Sequence, residues 1–486
     1  MLIRNKISKL FVAFLFFILM FFNISFAEDT DLNEQEQIGQ LVERIQFLKK
    51  EVKKLDDDGK KPKKASLEDN IDVVLGGNIP KPEEENLQLD EYVDDVINDD
   101  GKGVNGLVKK LSRSVDVSKG IPITTRGEET YIGGYSSSNT IPFGRISQTL
   151  FPATLMGQRS NYGDYAVYLG SYIENDLQAW DGSQITAQQG SNYSSDGFGM
   201  YTTTVYMYFM ANIGHYVTFE SDVEFWQGVG NFSDSFVMFG NIDDSPWFIT
   251  VGQYRPSIGS YSGGGNWTYG ITTNLFRLNR VPNAALNYKD DTQTANLTVF
   301  NADDHPSFSL GYYNAIELSD AYQVGFNAGY AYDIHGANVP FQNLGVKTGE
   351  INIDATMNIS SIIPGTWSIG GGWGSTTTKN KAFNGYSDSL AGAFTVQTAY
   401  SYPLFGRGTN INVSFGHSYN ADNLPTYMAA QEGEMVPTSG IQNQFIISSQ
   451  RAYFDNNVLI GPEFTRQGLY NHQFMDTFTV DMSVYV

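Results

Sequence analysis

Cysteine is absent from this 486-residue chain. That excludes a disulfide framework and lipid attachment at an N-terminal Cys, and it favours a fold held by a closed strand network over a disulfide-stapled exported domain. Charge is also scarce, at 17% of residues, and basic side chains are the scarcer kind: 31 Lys and Arg against 53 Asp and Glu, a net charge of −22. Such a balance argues against nucleic acid or an anionic lipid surface as partner. There is no Gly-x-Ser-x-Gly and no phosphate loop. The histidines His215, His305, His335, His417 and His472 are scattered, none at metal-ligand spacing from another. Asp303-Asp304-His305 reads as a polar turn ended by Pro306. No enzyme and no cofactor is therefore expected.

Long apolar runs are missing too, with one exception. Leu10 to Ile24 is almost unbroken, preceded by Arg4, Lys6 and Lys9 and followed by Ser25-Phe26-Ala27 before Glu28. A basic start, an apolar middle and small residues at a cleavage point predict a signal peptide over 1–27. No second stretch is apolar enough to cross a bilayer as a helix, so the exported chain is either soluble or a barrel.

What is present comes in three parts. Over 28–58, Ile38, Leu41, Ile45, Leu48, Val52 and Leu55 recur at steps of three and four. This seam predicts a short coiled coil and a homo-oligomer formed through it, with a single amphipathic helix as the alternative. Over 59–119 the chain turns charged and poor in aromatics, as in Lys60-Lys61-Pro62-Lys63-Lys64 and Glu83-Glu84-Glu85. That predicts a flexible acidic linker. The Asp runs lack the alternate-residue spacing and central Gly of a calcium loop.

From 165 to 486, short segments alternate in polarity between Gly, Asn, Asp, Ser and Pro breaks. Val217, Phe219, Val223 and Phe225 oppose Thr218, Glu220, Asp222 and Glu224; Ile351, Ile353 and Ala355 oppose Glu350, Asn352 and Asp354. A soluble sandwich alternates as well. Three features favour an all-β transmembrane barrel. About sixteen strands can be placed, starting near Tyr165, Gly199, Tyr216, Asp234, Pro246, Asn283, Gln293, Ser307, Ala321, Lys347, Thr366, Ser389, Gly408, Gln442, Asn457 and Gln473. Short turns sit between some pairs, and longer connections at 181–198, 256–282, 335–346, 378–388 and 421–441 fall on one side. Trp180, Trp226, Trp247 and Trp367 stand at strand ends, where interfacial girdles belong. These features predict outer-membrane lipid as the surroundings and the N-terminal region in the periplasm.

The loop from Pro256 to Pro282 is long enough either to fold inward or to stand in solvent. Folded inward, its Trp267, Arg277 and Arg280, with Arg255 before it, would face Glu220, Asp222 and Glu224 across the pore. Gly370-Gly371-Gly372 reads as barrel wall where something packs closely.

A resemblance adds to this. It rests on Gly120-Ile121-Pro122-Ile123-Thr124-Thr125-Arg126-Gly127, Tyr135, Ile141-Pro142-Phe143-Gly144-Arg145, Leu155-Met156-Gly157-Gln158-Arg159, the stretch Tyr165 to Trp180, and Gly252-Gln253-Tyr254. With these the chain resembles the outer-membrane iron and siderophore uptake β-barrels of the Francisella FslE/FupA and Legionella LbtU type. The order of signal, coiled coil, linker and barrel is similar, over essentially the whole mature chain. The resemblance implies uptake of iron, ferrous or as a ferric siderophore, without the globular plug of energised ~22-stranded receptors. It transfers no ligand-binding residues, and no resident metal follows from it. The alternatives are a general or cation-leaning diffusion porin and a structural or adhesive surface protein. The segment 120–164 is then a pre-barrel piece that could enter the lumen as a partial plug.

Overall fold

The computed structural model describes residues 121–125, 128–132, 151–157 and 159, and from 164 to 485 all but 189, 191, 227–228, 291, 304, 320–321, 360–365, 405–406, 432–434 and 454–457. The signal segment, the Ile38 to Leu55 seam and the charged linker lie outside the described residues.

Sixteen antiparallel strands close on themselves. They are β1 (Tyr165–Gly182), β2 (Asp196–Ile213), β3 (Val217–Trp226), β4 (Val229–Phe239), β5 (Trp247–Tyr254), β6 (Val281–Lys289), β7 (Gln293–Ala302), β8 (His305–Ser319), β9 (Tyr322–Ala331), β10 (Glu350–Ile359), β11 (Thr366–Thr376), β12 (Gly392–Leu404), β13 (Arg407–Tyr419), β14 (Ile441–Tyr453), β15 (Val458–Leu469) and β16 (Phe474–Tyr485). Each strand pairs with its neighbours in sequence, and β16 pairs back onto β1 from Met475 opposite Gly182 to Tyr485 opposite Tyr172. Closure leaves the barrel without an edge, the condition for spanning lipid with strands.

The alternation places apolar side chains outside. On β7, Leu297 and Val299 are 43% and 50% exposed while Thr298 between them is fully buried. On β5, Ile249 and Val251 are exposed and Thr250 is buried. A soluble sandwich would do the reverse, so the pattern defines a transmembrane barrel with a polar interior. The strands begin within a few residues of the sequence expectation. The largest departure is β4, which starts at Val229 rather than Asp234. Gly230 and Asn231 look like turn residues but are strand, and the β3–β4 register shifts between Ser221 and Val223, the sort of irregularity a two-residue period hides.

Short turns gather at one end. The turn 290–292 is typical: the Asp290 carboxylate accepts the amides of Thr292 and Gln293 at 2.8 and 2.7 Å. Those amides and the Tyr288 hydroxyl hold it below the usual carboxylate range. At this end Trp247 is half exposed on the outer face beside Tyr288, ring centroids 5.0 Å apart. The Trp367 indole, also on the outer face, donates to Thr398 Oγ1 at 2.6 Å.

Trp180 corrects the girdle expectation. It is buried and belongs to a core of loop residues at the other end. Its parity explains why: Glu174, Asp176, Gln178 and Trp180 all point inward, and Leu177 points out. That core joins Ile258, Tyr261, Leu275 and Phe276 of the 255–280 loop to Phe341, Phe383, Leu424, Met428 and Met435 of the neighbouring long loops. It also contains two short helices, α2 (Ile271–Phe276) and α3 (Val339–Leu344). Upstream of β1 lie a two-stranded hairpin, 121–132, and the helix α1 (Phe151–Gly157).

Candidate functional site

The 255–280 loop folds into the lumen, the first of the two readings its length allowed. It runs around the inner wall and hydrogen-bonds successive strands. Ser309 Oγ on β8 donates to the Ser257 carbonyl at 3.3 Å, and Ser260 Oγ donates to Asn327 Oδ1 on β9 at 2.6 Å. On β10, Glu350 accepts the Tyr261 hydroxyl at 2.8 Å and Asp354 accepts the Ser262 amide at 2.6 Å. The Gly263 amide donates to Gln397 on β12 at 2.8 Å, and the Gly264 amide to Ser414 Oγ on β13 at 3.2 Å. Asn266 reaches the Ser449 carbonyl on β14 at 2.7 Å. Glu463 on β15 takes the amides of Trp267 and Thr268 at 2.8 and 2.9 Å.

Glycine makes this path available. Gly263 and Gly264 have φ of +98° and +114°, a region closed to most side chains. On the wall, a Cβ at Gly329 would strike the Ile258 carbonyl, and one at Gly372 would strike the Asp354 carboxylate. The glycine triplet of β11 is thus close-packed wall, as its position in the sequence suggested.

The loop covers the wall from β8 to β15. On β16, β1, β3 and β4, which the loop leaves uncovered, the inner face carries Asp481, Glu174, Asp176, Glu220, Asp222 and Asp234. Glu174, Asp176 and Asp481 each present one oxygen within 4.8 Å of the others'. Thr203 Oγ1 donates to Asp176 at 2.7 Å, and Gln450 Nε2 to Asp481 at 3.3 Å. On β3 and β4 the Asp234 amide donates to Asp222 Oδ1 at 2.5 Å, and Ser233 Oγ to Glu224 at 3.4 Å.

The returning limb of the loop brings cations to this face. Arg280 Nε lies 3.1 Å from Asp234 Oδ2, and its Nη2 donates to the Tyr206 hydroxyl at 3.4 Å. Arg255 Nη1 donates to the Leu278 carbonyl at 2.6 Å and ties the base of the loop together. Arg277 lies over the Tyr269 ring, 4.0 Å from its centroid. One of the two sequence readings placed Arg255, Trp267, Arg277 and Arg280 opposite Glu220, Asp222 and Glu224 as one constriction; the other left the loop and its arginines in solvent. The structure separates their tasks. Arg280 pairs with Asp234, a residue that reading missed. Trp267 turns away from β3, its indole donating to the Ala429 carbonyl at 3.0 Å. Glu174, Asp176, Asp481 and Glu463 were also missed, although each has the parity of its strand's polar face. His305 binds Asp333 at 2.9 Å, next to a turn where Asp303 has φ of +66°.

A closed barrel of sixteen antiparallel strands with a polar interior, an inward loop and charges of both signs on its inner side defines a transmembrane β-barrel of the outer-membrane type. The chain belongs to the family described as a protein of unknown function, DUF3573, whose model matches residues 5–352. No curated protein matches the sequence. Among solved structures it is similar to the outer membrane channel DcaP of Acinetobacter baumannii, at 11% identity and a TM-score of 0.45 over 66% of this chain and 97% of that one. It is also similar to OmpT, an outer membrane protein of Vibrio cholerae, at 8% identity and a TM-score of 0.42 over 66% and 98%. A third is Pseudomonas aeruginosa OpdQ, at 11% identity and a TM-score of 0.38 over 67% and 99%.

Proposed function

We propose that the chain is an outer-membrane diffusion channel for small polar solutes, with a preference for cations. The observation that carries this is the division of the lumen: the loop lines β8 to β15, and the wall it leaves uncovered carries two carboxylate groups, Asp481, Glu174 and Asp176 on β16 and β1, and Glu220, Asp222 and Asp234 on β3 and β4. In a narrow, partly desolvated passage such a face raises the local concentration of cations and repels anions. Arg280, neutralised by Asp234, limits the field without reversing it. In this reading the short turns and the N-terminal region face the periplasm, 1–27 is removed on export, and the 28–58 seam sets an oligomer.

Reversal potentials across a salt gradient in planar bilayers test the proposal. The parent protein should pass potassium several-fold better than chloride. Replacing Glu220, Asp222 and Glu224 by Gln, Asn and Gln should move that ratio toward unity. An anion-selective channel, or a ratio untouched by the triple replacement, refutes it.

The sequence resemblance implies iron in either form, and of the two the Glu174, Asp176 and Asp481 oxygens favour ferrous iron as cargo, because a hydrated divalent cation suits a carboxylate wall better than an anionic chelate. Uptake of iron-59 by a deletion strain and its complemented parent, with and without siderophore, separates the two forms. Equal uptake under iron limitation removes iron from the account.

A further inference from the structure

Apart from the core at the long-loop end, an apolar patch lies on the described inner face of the barrel. Near the short-turn end, Met210 on β2, Phe236 and Met238 on β4, Phe248 and Tyr254 on β5 and Ala285 on β6 point inward and are buried. Their chain neighbours Phe209, Phe239, Ile249 and Leu286 are exposed on the outer face, so these are lumen positions and not strands turned over. Water in a channel would wet this patch at a cost. It is dry because helix α1 sits on it. Phe151, Ala153, Leu155 and Met156 complete the same cluster, with the Phe151 and Phe236 rings edge to face at 5.4 Å. A seven-residue helix buried on nearly every side lies inside something, and here that is the barrel.

The C-terminal end of the helix is fixed at the rim. Gly157 lies against the Lys289 side chain at the end of β6. Two residues on, the buried Arg159 donates to the Gly214 carbonyl in the β2–β3 turn at 2.8 Å and pairs with Asp164 at 3.1 Å. The patch adjoins the carboxylate face directly, since Glu220 is flanked across the sheet by Met210 and Phe236.

From this geometry we infer that α1 is a resident stopper, an element of the same chain that closes the passage beneath the carboxylate wall and must leave its apolar seat for solutes to cross. The inference rests on the channel reading above. It makes conduction a two-state matter, seat filled or seat empty, with the equilibrium set by the fit of four side chains.

The test uses the full chain in planar bilayers. Leu155→Asp with Met156→Asp puts two carboxylates on the seated face and alters no barrel residue. Mean conductance per inserted protein should rise roughly tenfold or more. In the cysteine-free parent, a Phe151→Cys and Phe236→Cys pair joined by a short reducible bis-thiol linker should silence the channel until the linker is cleaved. A gel shift between unboiled and boiled samples checks that each variant is a folded barrel. Equal conductance of parent and double-Asp variant, both folded, overturns the stopper. No current from either protein overturns the channel reading instead, so the two failures are distinguishable.

Discussion

Glu463→Ala removes the acceptor that holds the tip of the inward loop. The carboxylate takes the amides of Trp267 and Thr268 at 2.8 and 2.9 Å and the Thr465 hydroxyl at 2.8 Å. A buried donor left without an acceptor costs about 1–3 kcal/mol. Lumenal water can approach the freed amides, so the lower end applies, about 2 kcal/mol for the pair. That weakens docking of the tip by a factor of roughly 30. The other anchors, from Ser309 to Ser449, remain, so the loop should lift locally and briefly rather than leave the wall. Single-channel recordings should then show a noisier open state and a higher mean open-channel current. Glu463→Gln keeps an oxygen acceptor and should stay close to the parent. Noise and current in the alanine variant equal to the parent's, or a glutamine variant as noisy as the alanine one, would refute the argument that this carboxylate pins the loop.

Two further predictions concern the wall and the outer loops. Gly329→Val places a side chain where the Ile258 carbonyl now lies, so the first turn of the inward loop must move and open-channel conductance should rise with the barrel still heat-modifiable; unchanged conductance counts against the close packing. Phe341→Ala empties the place between Phe276 and Phe383, whose rings lie 6.0 and 5.8 Å away, and should cost about 3–5 kcal/mol of loop packing. Limited proteolysis should then cut within 332–349 and 377–391 while the strands stay protected, and a parent-like digestion pattern would sink that claim.

The barrel was legible because a period of two is a local signal. Leu297, Thr298 and Val299 declare their faces within three residues. The same parity rule would have placed Trp180 inside, since it continues Glu174, Asp176 and Gln178; grouping tryptophans by strand end set that information aside. The outer core was hidden for a different reason. Phe341, Phe383 and Met428 sit in separate irregular loops with no period to join them, and only closure brings them together. The inward loop fell between these cases. Its glycines and arginines announced something unusual, but the partners that settle its direction, Asp354, Gln397, Ser414 and Glu463, lie from about ninety to about two hundred residues further along. The seat of α1 was suggested only by the presence of a segment ahead of the first strand. Nothing local marks Met210, Phe236 and Phe248 as lumen-facing apolar residues that need a cover.

Those distant partners bear on assembly. The loop at 255–280 precedes in sequence the strands that hold its path, and its hydrogen bonds to β8 through β15 form only once those strands are in place. Closing such long chain segments is entropically slow, so the narrowing forms only as β15 and β16 arrive and the sheet meets β1. A fully narrowed lumen is therefore a record that the C-terminal strands are in register, and a register error near the end of the chain would be felt as a loose loop two hundred residues upstream.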